Sequence, residues 1–152
     1  MNIDNEYKKI ATKYALPSLL ELDKEFHIGN IDNQTFILRE IVKKLIEKIE
    51  SYGKLLEELI NPEGSLTSMH EANFFDEEDK KLAMINYKKL LFYHRLELEL
   101  DLYYEEEKFA SFIKTFYEEW QKMKKDLVKI ISKMKESWKK DLKNKVELGY
   151  FG

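Results

Sequence analysis

The chain has 152 residues, of which 43% are hydrophobic and 36% charged, with five glycines, two prolines and a net charge of -3. That length suits one domain with a sizeable core, and so little Gly and Pro argues against both extended disorder and a turn-rich β-sandwich. With no cysteine, disulfides, zinc–thiolate sites, iron–sulfur clusters and thiol nucleophiles are excluded.

The first residues, Met1 to Glu6, carry neither a basic stretch nor an apolar run of the secretory kind, so the expectation is a cytoplasmic protein. Ile3, Tyr7, Ile10, Ala11 and Tyr14 recur at helical spacing until Pro17 interrupts them. Ser18 with Glu21 three residues later resembles a capping box, and Leu19, Leu22 and Phe26 give the helix that follows an apolar face up to Gly29. These two short helices, within 1–29, are expected to cover the core as a lid.

Val42, Leu45, Ile49, Tyr52, Leu56 and Leu59 alternate at spacings of three and four and share one stripe, which predicts a helix over 34–60. Asn61, Pro62, Glu63 and Gly64 should stop it, since proline breaks the hydrogen-bond ladder. Ser65 can cap a brief helical turn reaching Ala72. Asp76 then offers a cap for a helix over 76–103, with Glu77, Glu78 and Asp79 at the positive end of its dipole.

That helix carries two apolar stripes: Met84, Leu91, Leu98 and Leu102 on one side, and Leu82, Ile85, Phe92, Leu96 and Tyr103 on another. Apolar coverage on more than one side suggests a centrally placed element. Leu90 to Tyr93 is the longest apolar run, far short of the ~18–20 residues that span a bilayer. Leu96 to Leu102 alternates with period two, but no partner strand is evident and helix is favoured. The pattern then loses phase at Asp101 and Glu105, which predicts a turn before the last helix, over 107–145. There Phe109, Ile113, Phe116, Trp120, Met123, Leu127, Ile130 and Met134 keep a heptad-like seam, after which Ser137 takes the seam position and Trp138 falls beside it. The tail, 146–152, is apolar and punctuated by glycine.

The reading is therefore one all-α domain over 1–152, a bundle of three long helices plus two or three short ones. Glu40 with Lys44, Glu50 with Lys54 and Glu136 with Lys140 are i, i+4 pairs that support helix and say nothing of activity.

Chemistry is harder to find. Di-iron bundles need Glu-x-x-His, yet Lys24, Thr67 and Leu91 stand three before His27, His70 and His94. None of the serines lies in Gly-x-Ser-x-Gly, and there is no phosphate-binding glycine loop. Glu97 and Asp101 share a helix side and could hold an ion as a buried pair, but they read better as part of a solvated acidic face. No cofactor, metal, catalytic group or small-molecule substrate is implied.

Charge is distributed unevenly. Residues 71–107 hold eleven acids and five bases, whereas 122–145 hold ten lysines and three acids. Arginine is confined to Arg39 and Arg95, which disfavours bidentate base readout. The Lys and Glu enrichment follows the trend of proteins from hot environments, though an AT-rich genome gives the same lysine bias.

The leading expectation is a non-catalytic interaction subunit, a scaffold or adaptor, binding a protein partner or a second copy through Trp138, Leu148, Tyr150 and Phe151. Twenty aromatic residues leave surplus apolar surface plausible. The alternative is a sequence-independent accessory factor for RNA, the ribosome or DNA machinery, acting through Lys125, Lys129, Lys133 and Lys140.

Overall fold

The structure is a computed structural model that describes residues 3–29, 31 and 35–147. Every regular element among them is an α-helix: α1 (Ile3–Tyr14), α2 (Leu19–Phe26), α3 (Ile37–Ile60), α4 (Leu66–Phe74), α5 (Glu77–Leu100) and α6 (Glu106–Glu147). The all-helical class expected from the sequence is the one observed. No helix among the described residues is long and apolar enough to cross a membrane.

Local chemistry accounts for the boundaries. After α1 the chain turns through Ala15 at φ 56° and Leu16 N–H closes on the Ala11 carbonyl at 2.9 Å, an ending that glycine usually provides. Ser18 then starts α2, its Oγ accepting from Glu21 N–H at 3.1 Å. α3 stops where Asn61 N–H makes its last helical bond, at 2.8 Å to Glu57, just before Pro62. Ser65 Oγ caps α4 through Ser68 N–H at 3.2 Å. Asp76 and Asp79 form a reciprocal box at the start of α5, each carboxylate accepting from the other's backbone N–H, at 2.8 and 3.0 Å. α5 ends at Leu100, and α6 begins after Glu105, whose carbonyl accepts from Lys108 and Phe109. The chain thus leaves the helix where the apolar pattern loses phase.

The chain forms two compact units, Met1–Tyr52 with Leu90–Gln121, and Gly53–Lys89 with Lys122–Gly152. The first has an aromatic centre: Phe26, Tyr93, Phe112, Phe116 and Trp120 meet ring to ring, with Phe116 at 5.8 Å from both Phe26 and Trp120 and 5.1 Å from Tyr93. Leu22, Leu38, Ile41, Leu45, Ile49 and Leu90 complete that core. Each such side chain contributes about 1.5–3 kcal/mol on burial. The second unit is built on Leu56, Leu59, Phe75, Met123, Leu127, Ile130 and Met134, with the small residues Ala72, Ala83 and Ser137 between them.

The seams read from the sequence in α3 and α6 are the buried ones, save for Tyr52, which is half-buried. α5 differs. Its buried line is Ala83, Asn86, Leu90, Tyr93 and Leu100, which runs between the two expected stripes. Met84, Leu91 and Leu96 flank it half-buried, while Ile85, Phe92, Leu98, Leu102 and Tyr103 are exposed. A helix buries only the sector that faces its neighbours, and here small Ala83 and hydrogen-bonded Asn86 occupy that sector. Asn86 Nδ2–H donates to the Leu82 carbonyl at 2.9 Å and to Asp126 at 3.1 Å, which satisfies its NH2 group, while its Oδ1 is buried without a hydrogen-bond partner. α5 is therefore not apolar because it is surrounded; its surplus apolar side chains face water.

Candidate interaction surface

The outward face of α5 is the first candidate. Ile85 and Phe92, seven residues apart and so on one helix face, are 51% and 61% exposed. Half-buried Leu96 continues the line, and exposed Lys81, Lys88 and Glu99 alternate with it. Exposed apolar side chains that adjoin on one face and are rimmed by charge are the kind of patch that marks interaction surfaces.

Trp138, the aromatic anchor read from the sequence, is placed differently from a free side chain. Seam position 137 is buried Ser137, whose Oγ donates to the Met134 carbonyl at 2.6 Å. Trp138 lies beside it, 38% exposed, stacked on His70 of α4 and donating Nε1–H to Glu71 at 3.0 Å. His70 Nε2 is 3.2 Å from the Ser137 carbonyl, and Lys140 lies 5.2 Å from the Phe74 ring centroid. Much of what the indole offers is thus already used to hold α4 on α6. Next to this cluster Leu66 and Met69 of α4 and Leu142 of α6 are exposed. Leu148, Tyr150 and Phe151 lie outside the described residues.

The four lysines of the alternative reading are not equivalent. Lys125 and Lys129 are exposed on the side of α6 away from its seam, and exposed Lys140 lies near the Phe74 ring. Lys133 is half-buried, paired with Asp79 and with Asp76 at 3.8 Å, and 5.9 Å from the Phe75 ring centroid. Its pKa is raised, chiefly by the hydrogen bond to Asp79. For Asp79 partial burial pushes the other way, but Lys133 and the Asp76 N–H outweigh it and hold the carboxyl below its ordinary value. Lys133 is a tie within its unit.

Near the end of α5 the acidic residue with a displaced pKa is Glu97. Burial, then Asp101 and to a lesser degree Glu50, push the Glu97 carboxyl above its ordinary value, with His94 opposing. His94 Nδ1 accepts from Arg95 at 2.7 Å. Among the described residues no three His, Asp or Glu side chains are gathered where they could hold a metal ion.

An open groove of about 600 Å³ runs along α1 and α2, lined in part by Tyr7, Lys8, Leu16, Leu19 and Leu20. Two of its polar groups are already engaged: Tyr7 OH donates to the Pro17 carbonyl at 2.6 Å and Ser18 bonds Glu21. Burial and then Glu21 push the Tyr7 phenol far above its ordinary value, so it stays protonated and serves as a strut. No protein-family model, curated protein or solved structure matches this chain.

Sequence reasoning singled out Trp138 from its register but missed the outward face of α5. The signal was present, since Phe92 and Ile85 stood in one stripe, yet that stripe was assigned to the interior.

Proposed function

We propose that this chain is a non-catalytic helical interaction protein, a scaffold or adaptor subunit of a cytoplasmic assembly or homo-oligomer. One observation carries the reading: Phe92, 61% exposed near the centre of α5, shares a helix face with Ile85, 51% exposed, and the chain's own core covers neither. Such faces gain free energy when a second surface removes them from water, at roughly 25 cal/mol per Å² before association costs.

The test is a photo-crosslinking side chain placed at position 92 and, as a control, at exposed Lys54 on α3. Discrete adducts at 92 and none at 54, in cells of the source, support the proposal. Position 92 giving no more product than position 54 contradicts it.

A second reading rests on Lys125, Lys129 and Lys140, exposed on one side of α6. We infer that any nucleic-acid contact uses these three and not Lys133. It would be sequence-independent and weaken steeply with salt, because lysine neutralises phosphate by releasing counterions. A titration at two salt concentrations decides it.

A further inference from the structure

We propose that α6 rests on the surface of an anionic lipid bilayer through a second apolar strip, which runs beside its buried seam and is bordered by lysine. The inference does not depend on the α5 reading. Its residues all belong to the unit formed by Gly53–Lys89 and Lys122–Gly152.

The seam positions Leu127, Ile130, Met134 and Ser137 are buried. One residue on from each, and so about 100° round the helix, a second row runs at the same spacings of three and four: Val128, Ile131, Lys135 and Trp138, continued by Leu142. Val128 and Leu142 are 63% and 65% exposed, Trp138 keeps an open edge, and Ile131 is half-buried. Lys135 stands within this row, while Lys125, Lys129 and Lys139 lie on its side away from the seam, and all four are exposed. Exposed Glu136 is the acid among them. The other two acids of 122–145 are placed elsewhere: half-buried Asp126 accepts from Asn86, and Asp141 stands in the seam register.

Lysine and apolar side chains interleaved on one outward face match an anionic bilayer in both respects. Its interfacial zone takes up the aliphatic groups and the indole edge, and its headgroups neutralise the ammonium groups just above, with lysine stems lying along the apolar layer. A nucleic-acid backbone would use the lysines and leave Val128 and Leu142 in water. A protein partner would cover the apolar groups, but lysine is depleted in such interfaces, and here Lys135 sits in the middle of the strip. The chain's net charge of -3 does not oppose the contact, because salt screens exposed charges beyond about 8–10 Å and leaves the local lysines to act. The helix lies on the bilayer; none among the described residues is long and apolar enough to cross it.

Sedimentation of the full chain with lipid vesicles is the test. Phosphatidylcholine vesicles holding about 30% phosphatidylserine should bind it at least about tenfold tighter than pure phosphatidylcholine ones, with the difference shrinking in high salt. Lys135→Gln and Lys139→Gln should each weaken binding about fivefold. Val128→Asp and Leu142→Asp should each weaken it at least about tenfold, while circular dichroism shows the helices intact, since both sites are exposed. Brominated lipid should quench the emission of the bound chain, and Trp138→Phe, which keeps buried Trp120, should remove that quenching. Equal binding to the two kinds of vesicle overturns the proposal, as do aspartate variants that bind as tightly as the parent. A chain that binds an RNA homopolymer but neither vesicle also overturns it, and assigns the lysines to phosphate backbone instead.

Discussion

The Trp138 indole lies flat on the His70 imidazole, ring centroids 4.1 Å apart and planes 29° from parallel, and its Nε1–H reaches Glu71. The stack joins α4 to α6 within the second unit. Trp138→Ala and His70→Ala should each lower the unfolding free energy by about 1 kcal/mol, with a coupling of about 0.5–1.5 kcal/mol between them. Urea titrations of the two single variants and the double variant give that coupling, with buried Trp120 as the remaining fluorophore. Additive effects would show that the contact stores nothing.

Phe92 and Phe116 make the opposite comparison. Phe116 is fully buried and Phe92 is not. Under dilute conditions Phe92→Ala should change stability by less than about 0.5 kcal/mol, the usual range for an exposed site. Phe116→Ala should cost about 3–5 kcal/mol, as a cavity in the aromatic centre. Denaturation midpoints measure both, and equal losses would mean that Phe92 belongs to the core.

Asp79 and Lys133 tie the start of α5 to α6. The Asp79 carboxyl is held below its ordinary value of 3.8, so its contribution is present above that pH and is lost as pH falls through the lower folded value. Lys133 is raised above 10.5, so its share is complete below that pH and is lost as pH rises through the folded value. Asp79→Asn should therefore cost something at neutral pH, under about 1 kcal/mol because the pair is open to solvent, and nothing in strong acid. Lys133→Met keeps the stem against Phe75 and isolates the charge. Thermal melts across pH check both variants.

Glu97 has the reverse sign. Its carboxyl is raised in the folded chain, by burial first and then by Asp101, so the folded state binds the extra proton. Stability should fall as pH rises from the ordinary carboxylate value of 4.5 through the higher folded one. Glu97→Gln should stabilise the protein at neutral pH and flatten that decline. If the variant is less stable than the parent at neutral pH, the ionised carboxylate has a favourable partner instead.

Much of the fold was legible because the signals are local. Pro17, Ser18, Ser65 and Asp76 mark boundaries through backbone chemistry that needs no tertiary context, and the α3 and α6 seams are unbroken rows of large apolar residues. α5 was not legible in the same way. Its buried line holds Ala83 and Asn86, which hydropathy does not mark, while Phe92 and Ile85, which it does, are exposed. Which sector of a helix is covered depends on neighbours far away in sequence, among them Asp126, the partner of Asn86. Trp138 was legible by register, but its use was not, because the stack requires His70, 68 residues earlier in the sequence.

The account turns on whether the outward face of α5 is covered when the protein is assembled. Hydroxyl-radical footprinting reads that face directly, comparing dilute protein with the assembled form and using buried Phe116 as the internal reference. The account predicts that Phe92 is oxidised readily in the dilute chain and protected several-fold on assembly, with Phe116 unreactive in both. Equal oxidation of Phe92 in the two states would contradict it.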